Sequence, residues 1–328
     1  MMKLATFKIK ASGNTTVGAW IHDCYVDLHA LSDGELPDRM IDFLEQGETA
    51  MQTAWGALVA VLDDLDECVS CDSEKLTNTA GKRYAWGPDE IELCAPVPRP
   101  GKILHTSCNF DSHLEELTTW ENPEWQSHDW QSFHFEHPTG FLEAPSSVVG
   151  SGAKVVVPHF TRQLDYEIEI GIVIGKKAFR VDVKDALDYV AGFTIFNDLS
   201  ARDIQAREHS NKVILLGKSF DGSCPFGPYL VTPDELEDPH DLDMKLRVNG
   251  EVRQDANTSQ MHYKTAELVS WWSNITLEPG DIITSGSPPG VAAGMAVPDW
   301  LGPGDVVEAT IEGLGTLTTY IVENEHGQ

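Results

Sequence analysis

The sequence predicts an α+β protein, mostly β. A small N-terminal α+β domain is expected over residues 1–96, and a larger domain over residues 97–328 is expected to be built on a closed or rolled mixed sheet. Three observations carry this. Short alternating or apolar runs bounded by turn residues recur through the larger part. Helical periodicity is confined to a few stretches. Between the two parts, Cys94-Ala95-Pro96-Val97-Pro98-Arg99-Pro100 contains three prolines, which make a stiff extended connector.

In chain order, Leu4 to Lys10, Val17 to Ile21 and Tyr25 to Asp27 read as short strands, with Gly13-Asn14 as a turn signal. From Pro37 to about Asp66, the spacing of Met40, Ile41, Leu44, Trp55, Leu58, Val59 and Leu62 is helical, and Gly47 breaks the run into two pieces. After the connector, Lys102-Ile103-Leu104-His105 reads as a strand entering a loop with His113 and Glu116. A spacing of three puts these side chains on one face of a helical turn, where a carboxylate can orient an imidazole and raise its basicity. A surface His–Glu pair would have the same spacing.

Val155 to Pro158 begins a series of strands, and Asp185 to Tyr189 forms a short helix before the strand that ends at Asp198. Leu242, Met244, Leu246 and Val248 alternate and run into Asn249-Gly250, a strong hairpin signal, after which Val252 starts the return strand. Thr265 to Ile275 reads as a helix with Leu268, Val269 and Trp272 inward. Pro279-Gly280-Asp281 and Pro303-Gly304-Asp305 are similar turns that each feed a strand, and Gly313-Leu314-Gly315 precedes the last strand, through Val322.

The stretch of most chemical interest is Leu164-Asp165-Tyr166-Glu167-Ile168-Glu169-Ile170-Gly171-Ile172-Val173-Ile174-Gly175. Period two puts Glu167 and Glu169 on one face and Ile168 and Ile170 on the other. Two like charges about 7 Å apart repel, so a cation or a water-filled cleft would favour the pair, and a hard divalent cation is the obvious candidate. The same pair could line the solvated face of an edge strand. Thirty residues on, Phe193-Thr194-Ile195-Phe196-Asn197-Asp198 ends in a third carboxylate, followed by Ser200-Ala201-Arg202-Asp203-Ile204-Gln205 and Gly217-Lys218-Ser219-Phe220-Asp221.

Composition narrows the functional classes. A formal charge of −29, from 52 acidic against 23 basic residues, argues against nucleic acid or an anionic membrane as a partner, because both would be repelled. An anionic substrate would need local positive charge from a metal, Lys or Arg. No apolar run approaches the roughly 18 residues of a membrane span, and Met1-Met2-Lys3-Leu4-Ala5-Thr6 lacks a signal peptide's long apolar region, so a cytoplasmic location is expected. Cys68 and Cys71 form a lone C-x-x-C without the second pair that zinc sites normally need, and the six cysteines are expected as reduced thiols.

These blocks resemble the fumarylacetoacetate hydrolase family. The likeness rests on the D-Y-E-x-E strand at Asp165, Asn197-Asp198-Leu199-Ser200-Ala201-Arg202-Asp203-Ile204-Gln205, and Gly217-Lys218-Ser219-Phe220-Asp221. It extends to Asn109-Phe110-Asp111-Ser112-His113, Ser146-Ser147-Val148-Val149-Gly150, Val248-Asn249-Gly250-Glu251, and the run from Leu277-Glu278-Pro279-Gly280-Asp281 to Ser285-Gly286-Ser287-Pro288-Pro289-Gly290-Val291, all in the family's order.

The resemblance implies a rolled β fold, a homodimer, and a water-activating dyad of His113 and Glu116. It implies that Glu167, Glu169 and Asp198 hold Mg²⁺ or Mn²⁺, with Ca²⁺ as an alternative. Lys218 would add positive charge at the substrate oxygens, and Gln205, His209 and Ser287 would contact substrate. Apart from the resemblance, Arg202 and Asp203 read as a structural salt-bridge pair that shapes the loop after the ligand. Residues 117–140, with Trp120, Trp125, Trp130, Phe133 and Phe135 among His128, His134 and His137, would close over substrate as a lid or pack at a subunit interface.

Four positions depart from patterns common in the family. Thr106 stands where some members have a fourth acidic ligand, Phe110 lacks a Tyr hydroxyl, His209 lies where some carry Tyr, and Glu143 replaces a Lys. A Glu143 facing the pocket would repel a distal carboxylate, which favours a monoanionic acylpyruvate over a dianionic fumaryl compound. The resulting expectation is a metal-dependent hydrolase that cleaves the carbon–carbon bond of a 2,4-diketo acid through a cation-stabilised enolate. The alternative is an oxaloacetate decarboxylase or a 2-oxo-diacid isomerase or hydratase using the same site.

Overall fold

Apolar runs with few charges need cover on both faces, and most strands of this chain receive it. The computed structural model describes residues 2–67, 76–127 and 136–323, so Cys68, Cys71, His128, Trp130, Phe133, His134 and Phe135 lie outside the described residues. Among the described residues, the main path of a 12-stranded mixed sheet runs Ala85–Trp86, Cys24–Asp27, Thr15–Ile21, Lys3–Ile9, Cys224–Val231, Val190–Asn197, Ile168–Ile174, Ile282–Thr284, Ile103–Thr106, Gly140–Glu143. A 5-stranded sheet has the order Glu251–Asn257, Asp243–Val248, Val306–Ile311, Gly315–Val322, Ala153–Val156. The protein is α+β and mostly β.

The main core lies between these sheets, where Ile168, Ile170, Ile172 and Ile195 meet Met244, Leu246, Val307, Ala309 and Leu317. On the opposite face of the large sheet, Val173, Phe196 and Phe226 join a second cluster with Phe43, Leu44 and Leu58 of the N-terminal helices. All seven residues of Ile168–Ile174 are therefore buried. The solvated edge-strand alternative for Glu169 is excluded.

The sheet is continuous across residue 96. Lys3 pairs with Val231 and Leu4 with Leu230, so the N-terminal strands extend the sheet that carries Glu169. Pro37 to Asp66 forms three helices rather than two: Met40–Glu45, Glu48–Val59 and Leu62–Glu67. Gly47, at φ 58, makes the first break. Ala50, Ala54 and Leu58 face inward, which leaves Trp55 and Val59 40% and 47% exposed on the other side. The Asp243–Val248 hairpin turns at Asn249 and Gly250, whose φ values of 53 and 82 are those a tight two-residue turn requires.

Candidate metal centre and active site

Strand pairing brings the carboxylates together. Ile168–Ile174 runs antiparallel to Val190–Asn197, with Ile168 opposite Asn197 and Glu169 opposite Phe196. Glu167 and Glu169 at one strand's start thus lie beside Asp198 at the other's end. The Asp198 backbone N–H donates to the Glu167 carbonyl at 2.9 Å, and the Glu167 N–H donates to the Asn197 side-chain oxygen at 3.0 Å. One oxygen from each of Glu167, Glu169 and Asp198 lies within 4.8 Å of the others, all buried.

Two basic residues reach into this cluster. Lys218 Nζ donates to Glu167 Oε2 at 2.6 Å and to Asp198 Oδ2. Arg202 donates to Glu167 Oε1 at 2.6 Å, to Asp165 Oδ2 at 2.8 Å and to Gln205 Oε1 at 3.0 Å. Arg202 and Asp203 do not act as a pair: Asp203 instead accepts from the Thr161 hydroxyl at 2.6 Å and the Arg162 N–H at 3.0 Å. Arg202 is a buried member of the site, which the sequence reading missed. Its signal is the spacing of three to Gln205, which puts both on one face of the helix Arg202–Ser210.

His113 and Glu116 lie on the helix Asp111–Leu117. His113 Nδ1 is 3.1 Å from Glu116 Oε2, and His113 Nε2 is 3.5 Å from Glu167 Oε1. Glu116 Oε1 accepts from the Gly290 N–H at 2.9 Å, which fastens this helix to the Ser285–Gly290 turn. In the same turn the Gly286 N–H donates to Glu169 Oε2 at 2.8 Å. Gly286 has φ +80, and a Cβ there would meet the Thr106 carbonyl oxygen at 2.8 Å, so only glycine presents this donor without strain.

The environment separates the carboxylates. Burial would raise Glu167, but Arg202 and Lys218 beside it hold it well below the usual range. Burial, Asp198 and Glu167 push Glu169 well above it. Burial raises Asp198 to about 7 against the pull of Lys218. For His113, burial opposes the charged form, but its bonds to Glu116 and Glu167 win and raise its pKa.

A cavity of about 140 Å³ opens onto these groups. Of the expected substrate contacts, Gln205, His209 and Ser287 all line it, together with His113 and Lys218, and Trp125 and Phe141 form apolar walls. The Ser287 hydroxyl accepts from Gln254 Nε2 at 2.9 Å. The His209 ring lies 4.9 Å from that of Trp125. Thr106 lines the cavity without offering a carboxylate, and its hydroxyl accepts from the Trp272 indole N–H at 3.1 Å. Cys108 also lines the cavity, and burial pushes its thiol up to about 12.

Glu143 differs from expectation. It is 2% exposed and does not line the cavity; it lies beside His105 and Asp198, and burial and the Asp198 charge push its pKa well above the usual carboxylate range, so it does not present a charge on the pocket wall. The argument for a monoanionic substrate falls with it. His105, 1% exposed with Nε2 3.3 Å from Asp198 Oδ2, is a further residue of the site that the sequence reading passed over as part of a strand.

The donor set fits a hard divalent cation. Asp198 Oδ1 is buried with no hydrogen-bond partner, and all three candidate ligands offer carboxylate oxygen.

The family model for the fumarylacetoacetate hydrolase C-terminal domain matches residues 102–322. The chain belongs to the fumarylacetoacetate hydrolase family. The match begins just after the proline connector. The mitochondrial oxaloacetate tautomerase FAHD2A of Homo sapiens is 39% identical over 298 residues, spanning 90% of this chain and 83% of that protein. Among solved structures, fumarylacetoacetate hydrolase from Exiguobacterium antarcticum superposes with a TM-score of 0.74 at 28% identity, covering 99% of this chain and 100% of that one. Maleylpyruvate hydrolase from Sphingobium sp. SYK-6, in complex with manganese(II) and pyruvate, gives a TM-score of 0.72 at 27% identity over 99% of this chain and 100% of that one. Its relatives and structural neighbours are named as hydrolases, tautomerases and isomerases, so an enzyme follows from membership at that coarse level. Among the described residues, no helix is long and apolar enough to cross a membrane.

Proposed function

We propose that the chain interconverts the keto and enol forms of a small dianionic 2-oxo acid of the oxaloacetate class, with His113 as proton carrier. The observation that carries this reading is His113 itself: its Nδ1 is 3.1 Å from Glu116 while its Nε2 turns to the carboxylate cluster beside the cavity. The removal of Glu143 from the cavity wall, the cavity volume of about 140 Å³ and the likeness to proteins named oxaloacetate tautomerase support it.

Each side chain then has a task. Glu116 accepts the Nδ1 proton of His113 and leaves the Nε2 lone pair for chemistry. Nε2 takes a proton from the carbon next to the ketone; that C–H bond breaks as the carbon–carbon double bond forms, and His113 returns the proton to the ketone oxygen. A divalent cation held by Glu167, Glu169 and Asp198 would supply the positive charge that favours the enolate. Lys218 uses two of its three N–H donors on Glu167 and Asp198, and the third is left for a substrate oxygen. Trp125 and Phe141 exclude water from one side, and His209 stands at the Trp125 wall for the distal end.

Cleavage of an acylpyruvate-type 2,4-diketo acid is the second reading, favoured by the fold shared with maleylpyruvate hydrolase. There His113 deprotonates water, which attacks the distal ketone. Decarboxylation would need the dyad least. A homodimer and a division at residue 96 into an N-terminal and a catalytic domain belong to the same proposal.

The test follows loss of the oxaloacetate enol absorbance and cleavage of acetylpyruvate in the wild type and in His113→Ala, with Mg²⁺ or Mn²⁺ occupancy checked in parallel. The tautomerase reading expects rapid enol loss, little cleavage, and a fall of roughly 10²-fold or more in the variant with the cation retained. Cleavage outrunning tautomerisation would establish the hydrolase instead. A small loss with both substrates would remove His113 from the mechanism.

A further inference from the structure

Next to the carboxylate cluster a second group of potential ligands converges; His105 and Asp198 line the cavity and Glu143 lies off its wall. His105, Glu143 and Asp198 each place one ligand atom within 4.8 Å of the others. His105 Nε2 is 3.3 Å from Asp198 Oδ2 and 3.6 Å from Glu143 Oε2. Their relative exposures are only 1%, 2% and 1%, respectively.

Nε2 of His105 and both oxygens of Glu143 make no hydrogen bond of ordinary geometry, the Cys224 thiol beside Glu143 being a weak donor. Buried polar groups are ordinarily satisfied, and leaving several together unmet is costly. Glu143 and His105 do not satisfy each other, because 3.6 Å is too long for a hydrogen bond. The separations suit a shared ion instead. Two ligands on a tetrahedral Zn²⁺ with bonds of about 2.0–2.1 Å stand about 3.3–3.4 Å apart.

The imidazole is also oriented for such an ion. His105 Nδ1 lies 3.0 Å from the Thr284 hydroxyl, which bonds to Glu169. With the hydroxyl proton given to Glu169, Thr284 accepts the Nδ1 proton of His105, and the lone pair is on Nε2, facing Glu143 and Asp198. Metal-binding histidines commonly donate their other ring N–H in this way. The Phe141 ring, stacked at 4.8 Å, holds the imidazole in place.

We propose that His105, Glu143 and Asp198 form a second divalent-cation site, of Zn²⁺ type, sharing Asp198 with the site at Glu167 and Glu169. It differs from the first in its ligands: one nitrogen and two carboxylates suit a borderline ion such as Zn²⁺ or Co²⁺, whereas the all-oxygen set suits Mg²⁺. Asp198 then bridges two cations. The second ion binds Asp198 from the side of His105 and Glu143 and fixes it for the first. This inference rests on the reading of Glu167, Glu169 and Asp198 as the first site.

The experiment keeps the two readings apart. Protein saturated with Mg²⁺ is titrated with Co²⁺, and bound metal is read by native mass spectrometry and by the visible spectrum, in which tetrahedral Co²⁺ absorbs far more strongly than octahedral Co²⁺. The expected result is one tightly bound Co²⁺ per chain with an intense tetrahedral band, beside one Mg²⁺. Glu143→Gln, and independently His105→Gln, should abolish the band and the Co²⁺ while keeping the Mg²⁺; Glu169→Gln should lose the Mg²⁺ and keep the Co²⁺ band. Co²⁺ binding that is weak, octahedral or unchanged in folded Glu143→Gln overturns the second site. Mg²⁺ binding unchanged in Glu169→Gln overturns the first.

Discussion

Arg202→Met removes the most connected cation of the buried network and leaves a side chain of similar length. Arg202 is 1% exposed and makes charge-assisted bonds of 2.8 Å to Asp165 and 2.6 Å to Glu167. Breaking a buried ion pair from one side costs about 3–5 kcal/mol, because the partner charge is left uncompensated. Here the lower end applies. Asp165 keeps the backbone donors of Ala292 and Ala293 at 2.8 and 3.1 Å, and Glu167 keeps Lys218 at 2.6 Å. A loss of about 3 kcal/mol, at a urea slope of about 3 kcal/mol per M, lowers the unfolding midpoint by about 1 M.

The pH dependence adds a second signature. Although burial raises Glu167, Arg202 and Lys218 depress its folded pKa, so its stabilisation is present above the unfolded carboxylate value and is lost as pH falls through the depressed one. Without Arg202 the folded value rises, and acid unfolding begins at higher pH. Urea titrations of both proteins at neutral and acidic pH measure the two effects. A midpoint shift below about 0.2 M, with no change in acid sensitivity, would mean that this buried pair contributes no more than an exposed one, and the reasoning would be refuted.

Two further outcomes follow from the site. Glu169→Ala and Asp198→Ala should each lose Mg²⁺ or Mn²⁺ binding and activity together while losing less in stability, since two carboxylates hold a divalent ion poorly; calorimetry with unchanged cation affinity in both variants would contradict the ligand assignment. For the dyad, burial opposes the His113 imidazolium while Glu116 and Glu167 stabilise it, so activity that needs neutral imidazole should rise with pH through an apparent pKa above 6.5. Glu116→Gln removes one stabilising charge and should shift that acidic limb to lower pH; a shift to higher pH, or none, would show that Glu116 does not set the basicity of His113.

The parts of the site legible in the sequence were those governed by short-range periodicity. Spacing of three put His113 and Glu116 on one turn of the helix Asp111–Leu117, and period two put Glu167 and Glu169 together at a strand start. Long-range pairing was not legible. Nothing local in Lys3 to Ile9 specifies Val231 as its neighbour, so the extension of the large sheet by strands of residues 1–96 could not be read from the sequence. Burial of both faces of Ile168–Ile174 was hidden for the same reason: its cover comes from the N-terminal helices and the distant 5-stranded sheet.

Glu143 shows how a correct strand face can still mislead about function. In Gly140–Glu143, Phe141 and Glu143 share a face, and Phe141 does wall the cavity. The pairing register is Phe141 opposite His105 and Glu143 opposite Ile103, which sets Glu143 one pleat further along, about 7 Å from the residue that reaches substrate. That single pleat takes the carboxylate off the pocket wall and sets it beside His105 and Asp198. Glu143 therefore does not choose the substrate from the pocket wall, and the choice between monoanionic and dianionic acids passes to the groups that do line the cavity: Lys218, Gln205 and His209.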